Sequence, residues 1–226
     1  MATLPHLRLR RLGHREYEPV WHAMQSFTDR RDEGTADELW LVEHPPVYTL
    51  GLNARPEHLL DPGGIPVVKV DRGGQVTYHG PGQIVLYTLL DLRRMGLGVR
   101  EVVSRLEGAV IDLLAGYELT AEARPEAPGV YVEGAKIAAL GLRIRRGCSY
   151  HGLAFNAHMD LSPFAGINPC GHPGLAVTSA GRLGIETPQE ELAERLVEAL
   201  AHRLGYNAPT EADGEPPVPR PGSPRP

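Results

Sequence analysis

Cysteine is nearly absent from this chain, with two in 226 residues, Cys148 and Cys170. There is no Cys-x-x-Cys pair and no His/Cys cluster at zinc-ligand spacing, and the ten histidines are scattered. A disulfide framework and a structural metal are therefore not expected. Long apolar runs are also missing. The longest, "IVLYTLLDL" at residues 84–92, is too short to span a bilayer, so no membrane partner is expected. The opening "MATLPHLRLRRLGH" lacks the apolar core of a secretory signal, which predicts a cytoplasmic protein and two reduced thiols. An excess of basic charge is lacking too: Lys and Arg total 23 against 28 Asp and Glu, a net charge of −5 that argues against general nucleic-acid binding. Neither a Walker A loop nor a dinucleotide fingerprint is present, and no cofactor is expected.

What is there suits one soluble domain. Hydrophobic residues make up 42% and charged residues 23%, ordinary for a globular chain of this length. Leu7, Leu9 and Leu12 suggest a first strand. Tyr17, Val20, Trp21, Met24 and Phe27 recur at helical spacing. "ELWLVEH", "VYTLG", "IPVVKV" and "IVLYTLLDL" read as strands, and residues 99–114 as a second long helix. "GVYVEGAKIAALGLRIRRG" predicts two strands turning near Glu133 and Gly134, with "CSYHGLAFNA" as another strand. Thr187, Pro188 and Glu190 have the spacing of a capping box that opens a last helix, which Gly205 ends. Many strands and three main helices, not strictly alternating, predict an α+β domain over residues 1–209. From Thr210 the chain reads "TEADGEPPVPRPGSPRP", a proline-rich segment predicted to be a disordered tail.

Several segments carry polar chemistry. Cys170 lies in "GINPCG", between proline and glycine, where a shaped turn would expose sulfur beside backbone N–H groups. The bland alternative is a small inert apolar residue. Cys148 enters a strand, and there the structural reading wins. Lys136 sits among Ala135, Ile137, Ala138 and Ala139. A lysine desolvated by such neighbours gives up its proton more readily, and the alternative is the wet face of an edge strand. "RGGQVTYHGPGQ" packs four glycines with Arg72, Thr77, Tyr78 and His79, so that backbone could approach a ligand closely, or could simply turn. "HGLAFN" and "EHPPVYTLG" are weaker signals.

Taken in order, "EHPPVYTLG", "RGGQVTYHGPGQ", "GAKIAALGLR", "HGLAFN" and "INPCG" resemble the lipoyl(octanoyl) transferases. That family moves an octanoyl group from acyl carrier protein onto a lysine of a lipoyl domain. The resemblance implies a mainly antiparallel sheet with packed helices, similar to the biotin and lipoate ligase catalytic domain. It also implies site residues. Cys170 matches the acyl-thioester nucleophile, and Lys136 the lysine that activates it. Arg72, Gly73, Gly74, Gln75, Val76, Thr77, Tyr78 and His79 match the segment lining the acyl pocket. Ala139, Leu140 and Gly141, with Gly152, Leu153 and Ala154, match two further substrate strips, whose small residues would leave room for a straight chain. The implied partners are octanoyl-acyl carrier protein as donor, and lipoyl domains of 2-oxoacid dehydrogenase complexes and the glycine cleavage H protein as acceptors.

The chemistry this implies is transfer through a second thioester, with amide formation downhill and no ATP required. Three rivals differ in what they need. An ATP-dependent lipoate or biotin ligase would leave Cys170 idle. A cysteine hydrolase would release free octanoate. A carrier-binding protein would tolerate loss of Cys170. Arg143, Arg145 and Arg146 supply a local basic cluster for an acidic carrier, or a solvated strand end.

Overall fold

The computed structural model describes residues 6–216. In chain order the strands are β1 (Leu7–His14), β2 (Asp37–Glu43), β3 (Val47–Leu50), β4 (Val67–Lys69), β5 (Val76–His79) and β6 (Gln83–Leu89), followed by β7 (Glu122–Ala123), β8 (Gly129–Val132), β9 (Ala135–Arg145), β10 (Cys148–Asn156) and β11 (Thr210–Glu211). The helices are α1 (Tyr17–Arg30), α2 (Leu92–Met95), α3 (Val99–Ala115) and α4 (Gln189–Leu204). One sheet of eight strands has the order β11-β1-β2-β6-β10-β9-β8-β7, and a second has the order β4-β3-β5. In the large sheet the pairs β11-β1 and β1-β2 are parallel and the others antiparallel. This is the α+β, mainly antiparallel architecture expected. Among the described residues no helix is long and apolar enough to cross a membrane.

Alternation along the central strands decides the two faces of the large sheet. Ile84 and Leu86 of β6, with Leu153 and Phe155 of β10, bury against Val102, Leu106 and Val110 of α3 and Leu192, Leu196 and Leu200 of α4. Val85, Tyr87 and Leu89 of β6 point the other way and meet Val20, Met24 and Phe27 of α1. The small sheet holds its own cluster around Tyr48, Val76, Tyr78 and Phe164.

Two local features add to the expectations and two correct them. The segment "RGGQVTYHGPGQ" contains a strand, β5, paired antiparallel with β3. The short helix α2 follows the apolar run of β6; Asp91 caps it by accepting from the Arg94 N–H, a signal shorter than a periodicity window. The capping box before α4 does not form: Thr187 Oγ1 instead accepts from the Tyr117 hydroxyl, and the helix starts at Gln189 without a side-chain cap. The predicted tail begins as structure. Thr210 and Glu211 pair with Arg8 and Leu9, and the carbonyls of Asp213 and Gly214 accept from Arg10 Nη1. The strand forms because β1 offers an open edge, which composition cannot reveal. The rest of that segment, 217–226, lies outside the described residues.

Candidate active site

Lys136 and Cys170 meet. The Lys136 Nζ lies 2.7 Å from Cys170 Sγ and donates to the Pro128 carbonyl at 3.0 Å, with the Tyr131 ring 5.3 Å away. Lys136 is buried, while Cys170 is half-buried.

Main-chain bonds hold this encounter in register. The Lys136 N–H donates to the Ala176 carbonyl at 2.8 Å, and the Lys136 carbonyl accepts from the Thr178 N–H at 2.9 Å. The cysteine loop therefore runs as a short parallel bridge beside the lysine's own backbone. Asn156 of "HGLAFN" donates through Nδ2 to the Thr178 carbonyl at 3.0 Å and braces the same loop. On its other side Asn168 N–H donates to the His58 carbonyl at 2.8 Å. Cys170 itself has φ +55°, a left-handed conformation that is uncommon for a residue with a Cβ. Such a conformation persists only where the surroundings enforce it, and it turns the thiol toward Lys136.

Two residues support Lys136 that the sequence reading did not single out. Gly129 lies at φ +149°, and a Cβ there would sit 2.4 Å from Lys136 Cε. Glu107 of α3 accepts from the Gly129 N–H at 3.0 Å and lends its charge to the Lys136 environment. Burial pushes the Glu107 carboxyl up, against the Gly129 bond and Lys136, which lower it. The available signals were a carboxylate three residues before Val110 on an apolar helix face, and the scarcity of lysine: Lys69 and Lys136 are the only two in the chain.

Cys170 opens on a cavity of about 270 Å³. Of the expected substrate strips, residues 72–77, 79, 139–141 and 152–154 line it. Tyr78 does not; it alternates away on β5 and packs with its ring 5.5 Å from both Tyr48 and Phe164. The glycines serve a different end from the one expected. A Cβ on Gly152 would lie 2.1 Å from the Leu86 carbonyl oxygen, and one on Gly141 would lie 3.1 Å from Arg72 Cδ and from the Gly73 oxygen. Their missing side chains make room for the protein's own backbone and for Arg72. Arg72 is buried and donates to the Thr49 carbonyl at 2.7 Å, to Thr49 Oγ1 and to the Gly73 carbonyl, which explains part of "EHPPVYTLG".

Beyond the strips the cavity wall includes Tyr17, Tyr87 and His151. Behind them Asp71 accepts from Trp21 Nε1 at 2.7 Å, Gln25 Nε2 at 3.0 Å, His151 Nε2 at 3.0 Å and the Tyr150 hydroxyl. Burial pushes the Asp71 carboxyl up, but the bonds from His151, Tyr150 and Gln25 outweigh it and hold it well below the usual carboxylate range. Tyr150 and His151 are consecutive on a strand, yet their rings stack 5.1 Å apart on one side. His151 has φ +59°, which breaks the alternation and swings its ring to the Tyr150 face. Burial lowers His44 to about 4 and His79 to about 3, so these imidazoles are neutral at pH 7.

Cys148, by contrast, is buried at the start of β10, and burial pushes its thiol up. Of the arginine cluster, Arg145 pairs with Asp29 at 3.1 Å and Arg146 donates to the Asp29 carbonyl, while Arg143 stays exposed. Among the described residues no group of His, Cys, Asp and Glu is arranged to hold a metal ion.

The site is thus a thiol–amine pair at the mouth of a largely apolar cavity, on a helix-packed mixed sheet. Residues 16–201 match the family described as the lipoyl protein ligase A/B catalytic domain, and the chain belongs to that family. It is 65% identical to an octanoyltransferase of Alkalilimnicola ehrlichii over 191 residues, covering 84% of this chain and 89% of that protein. Among solved structures, a bi-partite lipoate protein ligase of Thermoplasma acidophilum is similar in fold, with TM-score 0.74 at 16% identity over 92% of this chain and 88% of the other. The biotin protein ligase of Aquifex aeolicus shares the fold more distantly, with TM-score 0.52 at 10% identity over 90% of this chain and 70% of the other.

Proposed function

We propose that this protein transfers an octanoyl group from a carrier thioester to a lysine amine of lipoyl domains, through a thioester on Cys170, without ATP. The observation that carries this reading is the 2.7 Å contact between Lys136 Nζ and Cys170 Sγ at the open end of the cavity. The Cys170 sulfur attacks the carbonyl carbon of the donor thioester while its proton passes to Lys136. The C–S bond to the carrier breaks, and the departing thiolate takes that proton back from Lys136, which is left free to accept another. The octanoyl group is then held on Cys170 with its chain along β9 and β10. In the second step the incoming amine attacks that carbonyl, Lys136 accepts a proton from the amine, and the Cys170 sulfur leaves. Exchange between thioesters is nearly neutral and the amide is lower, so both steps run without nucleotide.

The donor in this proposal is octanoyl-acyl carrier protein. The acceptors are the lipoyl domains of 2-oxoacid dehydrogenase complexes and the glycine cleavage H protein. Chain length is read by burial, since each methylene taken from water contributes roughly 0.8 kcal/mol. The Gly171 N–H, a candidate oxyanion donor by position, already donates to the Asn168 carbonyl at 2.9 Å, which makes it a brace for the cysteine turn.

The experiment is intact-protein mass spectrometry after mixing with octanoyl-carrier protein. One octanoyl group should appear on wild type, absent from Cys170→Ala and labile to hydroxylamine. An unmodified wild type that still modifies lipoyl domains would remove the covalent step.

A further inference from the structure

Glu107 is a buried carboxylate on α3, only 9% exposed, on a helix whose other buried residues include Val102, Leu106 and Val110. It does not line the Cys170 cavity, and the transfer steps do not use it. Its connection to the site runs through one peptide group. Glu107 Oε1 accepts from the Gly129 N–H at 3.0 Å, and Lys136 Nζ donates to the Pro128 carbonyl at 3.0 Å. That carbonyl and that N–H belong to the same peptide unit. The unit is trans, so the two groups point in opposite directions. The negative end of its dipole faces Lys136 and the positive end faces Glu107. Sulfur, amine, peptide and carboxylate thus form one line, in which each hydrogen bond polarises the next. Glycine at 129 permits the approach: at φ +149° a Cβ would sit 2.4 Å from Lys136 Cε and 2.7 Å from the Ala138 oxygen.

Capping the Gly129 N–H requires only an oxygen, and a neutral amide would supply one. A buried carboxylate costs more to desolvate and is repaid only by a positive partner. Lys136 is that partner, since it pulls the Glu107 carboxyl down against burial. The interaction of two charges is mutual, so the carboxylate favours the ammonium in turn. The other charges nearby have different business. Tyr131 lies 5.3 Å from Lys136 Nζ and bonds to the Ala127 carbonyl, and Arg124 above its ring pairs with Glu122. Arg203 of α4, beside Gly108, pairs with Asp112. Arg72 acts on Cys170, and Glu126 and His172 stand on the cavity wall.

We infer that Glu107 is a positioning residue for proton transfer: through the Pro128–Gly129 peptide it orients Lys136 Nζ at Cys170 and stabilises the ammonium each time Lys136 takes up a proton. The catalytic consequence rests on the reading of Cys170 as the acyl-carrying residue, whereas the coupling of Glu107 to Lys136 does not.

The chain has two lysines, so lysine labelled with carbon-13 at Cε gives two signals, with exposed Lys69 as the internal standard. In a Cys170→Ala background no thiol titrates beside Lys136. There Lys136 should lose its proton about one pH unit lower in Glu107→Gln than with Glu107 in place, because a nearby opposite charge favours the charged form by that order. Lys69 should not move. Glutamine keeps the size and an oxygen for the Gly129 N–H, so a purely structural cap gives equal midpoints, and equal midpoints overturn the inference. A second measurement needs no change at 107: the Gly129 amide signal should move as Glu107 titrates and again as Lys136 titrates, and a signal still at either would break the line. With Cys170 present, transfer from octanoyl-Cys170 to a lipoyl domain is followed at single turnover. In Glu107→Gln its rise with pH should shift down with the Lys136 midpoint, to a plateau roughly three- to tenfold lower, because a weaker base accepts the amine proton. The carrier concentration that half-saturates loading should not change. An unaltered transfer profile overturns the catalytic role. A shifted Lys136 midpoint in a protein that never loads octanoyl on Cys170 would keep the coupling and remove the reading of Cys170 instead.

Discussion

The two faces of the large sheet are built from the same strands and each buries an apolar cluster, but they differ in the polar groups set beside it. Toward α3 and α4 the buried side chains are aliphatic, with Ile84, Leu86, Leu153, Leu196 and Leu200 in contact. On the side of α1 and the cavity, Arg72, His79, Tyr87 and His151 are all buried, and Asp71 sits behind them. An apolar face gains stability in proportion to area and asks little of geometry. A polar face is stable only when each group meets its partner, so its geometry is fixed, and it is the face that can orient a reaction. The difference teaches where substitutions should separate folding from activity.

The sharpest break in that comparison comes from the two thiols. Cys170→Ala should abolish transfer with little change in melting temperature, because the half-buried side chain contributes no core packing. Cys148→Ala should leave turnover nearly intact. Turnover and melting curves on both variants check this, and equal losses of activity would remove the special role of Cys170.

The mirror-image change lies on the aliphatic face. Leu196 is fully buried between α3 and α4, and Leu196→Ala should cost about 2–5 kcal/mol, mostly as a cavity. Turnover per folded molecule should stay close to wild type at a temperature well below the transition. A proportionate fall in turnover would show that the two faces are mechanically coupled.

Acid should attack the polar face first. His44 and His79 have folded-state values lowered from 6.5 to about 4 and about 3. The unfolded chain takes up these protons below pH 6.5, while the folded chain refuses them until about 4 and about 3. Their contribution to stability is therefore complete above pH 6.5 and is lost as pH falls through that window. The melting temperature should drop steadily from pH 7 to pH 4, and His79→Gln, which cannot titrate, should flatten the slope. An identical slope in His79→Gln would mean that His79 is not held neutral.

The two faces also differ in how legible they were. Periodicity located α1, α3 and nearly every strand of the large sheet, because burial on an aliphatic face imposes a regular pattern. The polar side was legible only in part. Lys136 and Cys170 stood out as a lysine among alanines and a cysteine in a Pro/Gly turn. His151 did not, since its positive φ breaks the alternation from which a face is read, and Asp71, Gly129 and Glu107 act through contacts distant in sequence. The glycines 141 and 152 were read as space for substrate, whereas their empty side is filled by Arg72 and by the Leu86 carbonyl.

The smallest expected effect concerns the edge of the large sheet. Composition suggests that residues 210–226 are dispensable, yet Thr210 and Glu211 pair with β1, and the Ala212 N–H donates to the Leu9 carbonyl at 2.7 Å. Arg10 is buried, forms a two-bonded pair with Glu38 at 2.9 and 3.0 Å, and turns Nη1 to the carbonyls of Asp213 and Gly214. Deleting 210–226 removes those two acceptors but also opens Arg10 to water, which replaces most of what is lost. The net cost is therefore about 1 kcal/mol, a fall of about 2–4 °C in melting temperature for a domain of this size. Turnover should not change, because β1 and β11 lie on the opposite side of β2 and β6 from the β9–β10 strips of the cavity. Calorimetry and a transfer assay on the truncated chain check both halves. An unchanged melting temperature would show that β11 adds nothing to the edge, and a loss of turnover would show that the edge and the cavity are linked across the sheet.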